Sequence, residues 1–384
     1  MRQTTPVTFA SPTKPAGWTW EATNAEVASR YGLPIEQVVR FDQNTAPAPP
    51  AAVAAVLAAG RFEVALSEYP PSDYGRLIDA AATRYGVARE EILVGAGADE
   101  ILDLVAKAFI PHGGSALVPV PSYPMYAILT EQRGARTMRV PRLPASAGYA
   151  IDVEAVRAAV RDDTGGIDLI WLCNPNNPTG AVEPPGLVAA LLSGLLADAA
   201  AAGRSAPIVL VDEAYIEFSG DSTLPLRFEY PRLIVTRTMS KAYAIAGLRV
   251  GFGIARPELI DDISTYRPPG SVSIVSVEVA TALLPDQPLI DNRIVEVTAE
   301  RARFAAELTG AGWTVHPSAT NFVLVSFASP EGADVVAKEL LRRGLIPRTF
   351  SAGHPLDHCL RLTVRNREQD DRLIAAARDV GAPG

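Results

Sequence analysis

Four short stretches of the chain are apolar almost from end to end: SALVP at 115–119, IDLIWL at 167–172, PIVLV at 207–211 and RLIVT at 232–236. A strand with one face in water alternates polar and apolar side chains. A strand without that alternation must be covered on both faces, as in a parallel sheet packed between helices. The Ala/Leu-rich stretch 185–202 reads as a helix between the second and third of these strands. From about Ser72 onward, helical patterns and short strands take turns, which is the signature of an α/β unit. The expected fold class is therefore α/β. A mostly parallel sheet with helices on both faces forms a large domain over residues 51–268.

The texture changes after Tyr266-Arg267-Pro268-Pro269-Gly270. A long helical run at 287–311 is followed by TNFVLVSF (320–327), a helix near 332–343, the strands GLIPR (344–348) and CLRLTV (359–364), and a closing helix. That order predicts a smaller α+β C-terminal domain over 269–384. Residues 1–50 are rich in Pro, Thr and Ala and read as an irregular N-terminal arm with a helix near Ala25–Tyr31. The run Ala46–Pro50 reads as an extended connector.

At 384 residues the chain suits one large domain plus a smaller one. No apolar run is long enough to cross a bilayer, and the first residues, MRQTTPVTFASPTKPAGW, lack the apolar core of a secretory signal. The expectation is a cytoplasmic protein with no membrane contact. Lys and Arg number 35 against 43 Asp and Glu, a net charge of −8 that argues against nonspecific nucleic-acid binding. Cys173 and Cys359 make no disulfide framework, and no Cys/His spacing suggests a metal. His112, His316, His354 and His358 are scattered and read as surface or loop residues, the last two near a substrate entrance at most. The expected partners are small molecules.

Ligand sites in such sheets lie beyond the carboxyl ends of the strands. Four ends carry polar residues. In IDLIWLCNPNNPTG the strand runs into Asn174-Pro175-Asn176-Asn177-Pro178-Thr179-Gly180, either a plain Pro/Asn turn or one that presents Asn177 as a fixed hydrogen-bond donor. In PIVLVDEAYIEF, Asp212 and Glu213 follow a buried strand, with Tyr215 close behind. A carboxylate there either caps a helix or keeps a heteroaromatic nitrogen protonated. In LIVTRTMSKAYAIAGLRVGF, Ser240 and Lys241 precede a small-residue turn with Gly247 and then Arg249. A lone lysine is usually a solvated charge, but among apolar and small neighbours it reads as a partly buried, reactive amine. In EEILVGAGADEILDLVAKAF, Gly95–Glu100 lead into an amphipathic helix whose free N–H groups form either an anion site or an acid-capped helix start. The third glycine of the dinucleotide fingerprint is absent, which argues against a dehydrogenase.

An amine, a carboxylate, hydrogen-bond donors and an anion cradle at successive strand ends are what pyridoxal phosphate requires. NPNNPTG, VDEAY and SKAYAIAGLRVGF resemble the fold-type-I pyridoxal-phosphate enzymes of the class I/II aminotransferases. The resemblance covers roughly residues 40–380 and is greatest to the histidinol-phosphate aminotransferase branch. It implies pyridoxal 5'-phosphate as cofactor, with Lys241 its covalent anchor and the group that moves the proton. By the same resemblance Asp212 pairs with the ring nitrogen, Asn177 and Tyr215 bond the phenolic oxygen, and Tyr123 stacks on the ring. Backbone amides of Ala98 and Asp99, with Ser240 and Arg249, hold the phosphate. Tyr69, in SEYPPSDYG, matches a tyrosine that reaches the neighbouring subunit's phosphate, which implies a homodimer with shared active sites. Arg361, in CLRLTV, matches the clamp for a substrate carboxylate, and Arg348 borders the side-chain pocket.

Asn44 stands on the substrate side, in the run Asp42–Pro47 where the family carries Asn-Glu-Asn-Pro. The family glutamate is missing there, an aromatic is replaced by Gly270, and Arg365 follows Thr363-Val364 where the family has glycine. These departures are expected to touch the side-chain pocket rather than the cofactor. The implied reaction moves an amino group between an L-amino acid such as glutamate and a keto acid or ketone, with histidinol phosphate as the favoured substrate. An aromatic amino-acid aminotransferase and a threonine-phosphate type of decarboxylase use the same cofactor residues. A DNA-binding regulator built on this fold would need an added domain, against which the short arm and acidic balance argue.

Overall fold

The computed structural model describes residues 21–381. The first 20 residues, with the beginning of the expected arm and the stretch read as lacking a signal, lie outside them. In chain order the strands are β1 (Val39–Arg40), β2 (Ile92–Gly95), β3 (Ser115–Val120), β4 (Arg136–Pro141), β5 (Leu169–Cys173), β6 (Ile208–Asp212), β7 (Leu233–Thr238), β8 (Gly251–Ala255), β9 (Thr314–Val315), β10 (Phe322–Ser326), β11 (Leu345–Ile346) and β12 (Cys359–Thr363).

The four apolar runs become β3, β5, β6 and β7, within a seven-stranded sheet of order β2-β8-β7-β6-β5-β3-β4. Neighbours from β4 through β7 are parallel, and β8 alone runs against both of its partners. The missing alternation now has its explanation. Along β5, Ile170 and Leu172 join one apolar core while Leu169, Trp171 and Cys173 join another on the opposite face. Val209 and Val211 of β6 likewise face away from Ile208 and Leu210. The helix Leu187–Ala201 covers the first face through Leu191 and Leu195, and the helix Ala98–Phe109 covers the second through Ile101 and Val105. Each such side chain contributes roughly 1.5–3 kcal/mol on burial.

Two strands of this sheet lack a local signal. β4 lies at one edge of the sheet and is largely exposed. β8 reads GFGIA, and glycine disfavours strands. Gly251 is nonetheless required, because a Cβ there would lie 2.4 Å from the carbonyl carbon of Gly97.

The C-terminal part holds an antiparallel sheet of order β12-β10-β9, packed against the helices Pro330–Arg342 and Arg367–Val380. The long helix Gln287–Gly310 spans two cores: Ile290 and Val297 pack with the large sheet, Phe304 and Leu308 with the small one. The expected strand GLIPR shrinks to two residues, Leu345–Ile346, which pair in parallel with β1, while Arg348 alone pairs with Arg361 of β12. The N-terminal segment is thus tied to the C-terminal part, and Val39 and Phe41 sit in that smaller core. The expected helix near Ala25 spans Asn24–Tyr31 and starts with a capping box between Thr23 and Glu26. Among the described residues, no helix is long and apolar enough to cross a membrane.

Candidate active site

The carboxyl ends of the parallel strands meet at one edge, where they open onto a cleft of about 600 Å³. Antiparallel β8 begins at that same edge and delivers Arg249, just ahead of it, to the cleft. Lys241, Asp212, Tyr215, Asn177, Tyr123, Ala98, Asp99, Ser240 and Arg249 all line the cleft, as do Asn44, Arg348 and Arg361 from the chain's two ends. Tyr69 is elsewhere, 90% exposed on the surface.

Asp212 ends β6 and is buried. Its Oδ2 accepts from the Tyr126 hydroxyl at 2.8 Å and its Oδ1 from the Ala214 amide at 3.1 Å. Burial pushes its carboxyl up to about 6, against the pull of the Tyr126 hydrogen bond. No ion pair neutralises it among the described residues, so a cation is wanted at this point of the cleft.

Lys241 follows the end of β7 by three residues and is part-buried. Its Nζ donates to the carbonyls of Asn44 at 3.3 Å and Gln43 at 3.4 Å and stands 5.6 Å from the Tyr215 ring centroid. Burial lowers its pKa to about 8, helped by the positive charges of Arg361 and Arg249. That is the shift expected of an amine kept nucleophilic near neutral pH.

Arg361 lies on β12 and is buried. Its Nη1 donates to Asn177 Oδ1 at 2.6 Å and its Nη2 to the carbonyl of Asp42, while its Nε is buried without a partner. It makes no ion pair among the described residues, and burial lowers its pKa to about 10. Accepting from Arg361 leaves the amide donors of Asn177 uncommitted. Tyr215 is in a matching state: its oxygen accepts from Asn44 Nδ2 at 2.9 Å, leaving its own proton to donate. Arg348 is backbone-paired to Arg361 and lies 3.6 Å from Glu21, whose carboxylate also accepts from the Thr349 amide and hydroxyl at 2.9 Å.

Near the start of the Ala98 helix, Asp99 accepts from Tyr123 at 3.0 Å and from Arg249 at 3.1 Å. Gly97 takes φ +82°, and a Cβ there would sit 2.5 Å from Arg249 Nη2. The guanidinium is thereby held close to the free amides of the helix start. Ser240 completes this corner, its hydroxyl 3.0 Å from that of Thr238.

Several cleft residues were not anticipated. Thr238 and Cys173 are the last residues of their strands, where the apolar pattern hides them. Burial pushes the Cys173 thiol up to about 12, which leaves it inert at neutral pH. Glu21 and Asp42 come from the arm, and only tertiary pairing brings them here. Tyr126, behind the cleft rather than on its lining, had a signal: it sits three residues after Tyr123, whose carbonyl accepts from its amide at 3.3 Å. Of the expected departures, Gly270 does not border this cleft. A Cβ there would be 3.7 Å from Pro70 and 3.8 Å from Tyr69, because its loop lies against that surface segment instead. Arg365 acts indirectly, donating at 2.7 Å to the carbonyl of Thr45, a cleft residue. His354 and His358 lie outside the cleft, and His354 stacks on Phe350.

An α/β sheet with a buried carboxylate that makes no ion pair among the described residues, a depressed lysine and an anion cradle at its strand ends defines an enzyme that works on a small anionic ligand. Residues 37–376 match the family described as aminotransferase class I and II, and the chain belongs to that family. It is 34% identical over 363 residues to a histidinol-phosphate aminotransferase of Roseiflexus castenholzii, covering 92% of both chains. Its fold matches the histidinol-phosphate aminotransferase of Sinorhizobium meliloti, solved in complex with pyridoxal-5'-phosphate, with a TM-score of 0.83 at 24% identity over 97% of this chain and 98% of that one. The L-threonine-O-3-phosphate decarboxylase of Porphyromonas gingivalis shares the fold at a TM-score of 0.73 and 23% identity, over 89% and 99% of the two chains.

Proposed function

We propose that this chain is a pyridoxal-phosphate-dependent aminotransferase that exchanges an amino group between glutamate and the histidinol-phosphate skeleton. The observation that carries the reading is the meeting in one cleft of Lys241, Asp212 and Arg361, whose buried Nε has no partner among the described residues. The cleft fits the cofactor on its own chemistry. A buried carboxylate without a cation suits a protonated ring nitrogen, and a helix start backed by Arg249 suits a phosphate. When bound, pyridoxal phosphate supplies an electron sink for the electrons left on the substrate carbon. Asp212 holds the ring nitrogen protonated. Asn177 and Tyr215 donate to the phenolic oxygen with their uncommitted protons, and Tyr123 covers the ring. The amides of Ala98 and Asp99, with Ser240 and Arg249, hold the phosphate. Lys241 Nζ anchors the cofactor and carries the proton to and from the substrate carbon, work worth roughly 10²–10⁴ in rate.

Arg361 clamps a substrate carboxylate as a bidentate pair, beside Asn44. Arg348 reads the distal acidic group, either the glutamate γ-carboxylate or the histidinol phosphate, with Glu21 as its counter-ion between substrates. If Arg348 reads the phosphate, Arg348→Ala should lose at least ~1.4 kcal/mol, about tenfold, in kcat/KM for histidinol phosphate and almost nothing for phenylalanine. Equal losses on both would make Arg348 structural. A wild type that ignores histidinol phosphate but transaminates phenylalanine would move the substrate to the aromatic class. Release of carbon dioxide without a keto acid would make the chain a decarboxylase.

The assembly in this reading is a homodimer in which Tyr69 completes the neighbour's phosphate site. Its 90% exposure in the single chain suits a residue that awaits a partner. Mixed Tyr69→Ala and Lys241→Ala proteins should regain activity once subunits exchange, since one site of the heterodimer is then intact. Exchange without recovery would refute the shared site. The working division is a large cofactor-binding unit and a smaller unit that includes the arm. The shift of core membership along Gln287–Gly310 supports a junction within that helix, beyond residue 269. A cytoplasmic setting agrees with two free, buried cysteines.

A further inference from the structure

The Tyr126 hydroxyl donates to the carboxylate of Asp212 at 2.8 Å, with the Cys173 thiol beside it. A phenol carries a single proton, and an ionised carboxylate can only accept. The bond therefore forms most favourably while Asp212 is charged, and it opposes the burial that pushes the carboxyl toward neutrality. The phenol itself stays protonated, because burial and the adjacent carboxylate raise its pKa far above the ordinary tyrosine range.

The hydroxyl is also fixed in place. The Tyr126 ring is fully buried and stacks on Trp171, with centroids 5.4 Å apart and planes 9° apart. Trp171 Nε1 donates to Thr130 Oγ1 at 3.1 Å, and Thr130 Oγ1 donates to the Tyr126 carbonyl at 2.7 Å. Strand β5 and the helix Met125–Gln132 are thus braced to each other around the tyrosine. Tyr123, just ahead of that helix, stands edge-on to Tyr126 at 5.6 Å and lines the cleft.

We propose that Tyr126 is a positioning residue for the transamination centre: it orients the Asp212 carboxylate and holds it ionised to receive the positive N–H of the cofactor ring. The inference rests on the pyridoxal-phosphate reading above. Other groups bear on Asp212: Asp99, from the helix Ala98–Phe109, opposes its ionisation, while Lys241 and the Ala214 amide favour it. Cys173, beside it on β5, is neutral at working pH. Among these, Tyr126 is the uncharged side chain that donates a hydrogen bond to the carboxylate.

The test is Tyr126→Phe, which deletes one oxygen and keeps the stacked ring. Wild type is titrated first with pyridoxal phosphate, and failure to bind it would sink the cofactor reading itself. Given wild-type binding, the variant should bind the cofactor about tenfold or more weakly, the scale of a lost hydrogen bond to a charged group. The acid limb of its kcat/KM profile should also move to higher pH, because Asp212 then takes up its proton more readily. The decisive comparison places Tyr126→Phe in an Asp212→Asn background. Since the tyrosine acts through the carboxylate, its effect on cofactor affinity should largely vanish there. Unchanged affinity and pH profile in Tyr126→Phe, or an undiminished loss in the Asp212→Asn background, would overturn the proposal.

Discussion

Lys241→Ala protein, mixed with pyridoxal phosphate, reduced with borohydride and denatured, should retain no pyridoxyl group, whereas wild type should carry it on the Lys241 peptide. Turnover should fall by at least ~10⁴, because in the proposed role the same amine would anchor the cofactor and move the proton. The lysine is suited to both tasks. It is part-buried among Asn44, Gln43 and the Tyr215 ring, and its pKa is depressed to about 8 by burial, Arg361 and Arg249. An unperturbed lysine titrates near 10.4 and would be almost wholly protonated at neutral pH. Because only the free amine attacks an aldehyde, covalent uptake of cofactor by apoprotein should speed up with pH and level off above about 8. A trapped pyridoxyl group in Lys241→Ala, or an uptake rate still rising tenfold per unit through pH 9–10, as for an unperturbed amine, would refute this account.

Asp212→Ala should keep its fold and lose activity by roughly 10²–10³ or more, the scale of removing one preorganised electrostatic group. The carboxylate is buried and makes no ion pair among the described residues, a costly arrangement that a ring N–H would offset. In the proposed role the carboxylate would keep the ring nitrogen of bound cofactor protonated, and its loss would weaken the electron sink. Asp212→Asn separates charge from shape, since it keeps the volume and the contact with Tyr126. It should be nearly as inactive as the alanine variant. Near-normal turnover in either protein would contradict the role assigned to Asp212.

What could be read in the sequence is what local pattern encodes. Strands buried on both faces must be continuously apolar, so SALVP, IDLIWL, PIVLV and RLIVT announced a covered parallel sheet. Ligands bind beyond the ends of such strands, so the residues just past them, Asn177, Asp212, Ser240 and Lys241, were visible as candidates, and all four line the cleft. Arg361 and Tyr69 had no such local reason and rested on resemblance alone. β8 escaped notice because its glycines, one required by the approach of Gly97, erase the propensity that would mark a strand.

Tertiary structure decided the rest. Periodicity reports which faces are covered, not which distant segments cover them. Asn44 meets Tyr215 across 171 residues, and Arg361 meets Asn177 across 184. Only the pairing of β1 with β11, which folds the arm onto the small unit, and the antiparallel register of β10 with β12 bring those side chains to the cleft. The same holds for charge. A lysine or aspartate in a sequence carries its ordinary pKa, and the depressed amine of Lys241 and the raised carboxyl of Asp212 arise from burial and from neighbours that the fold supplies.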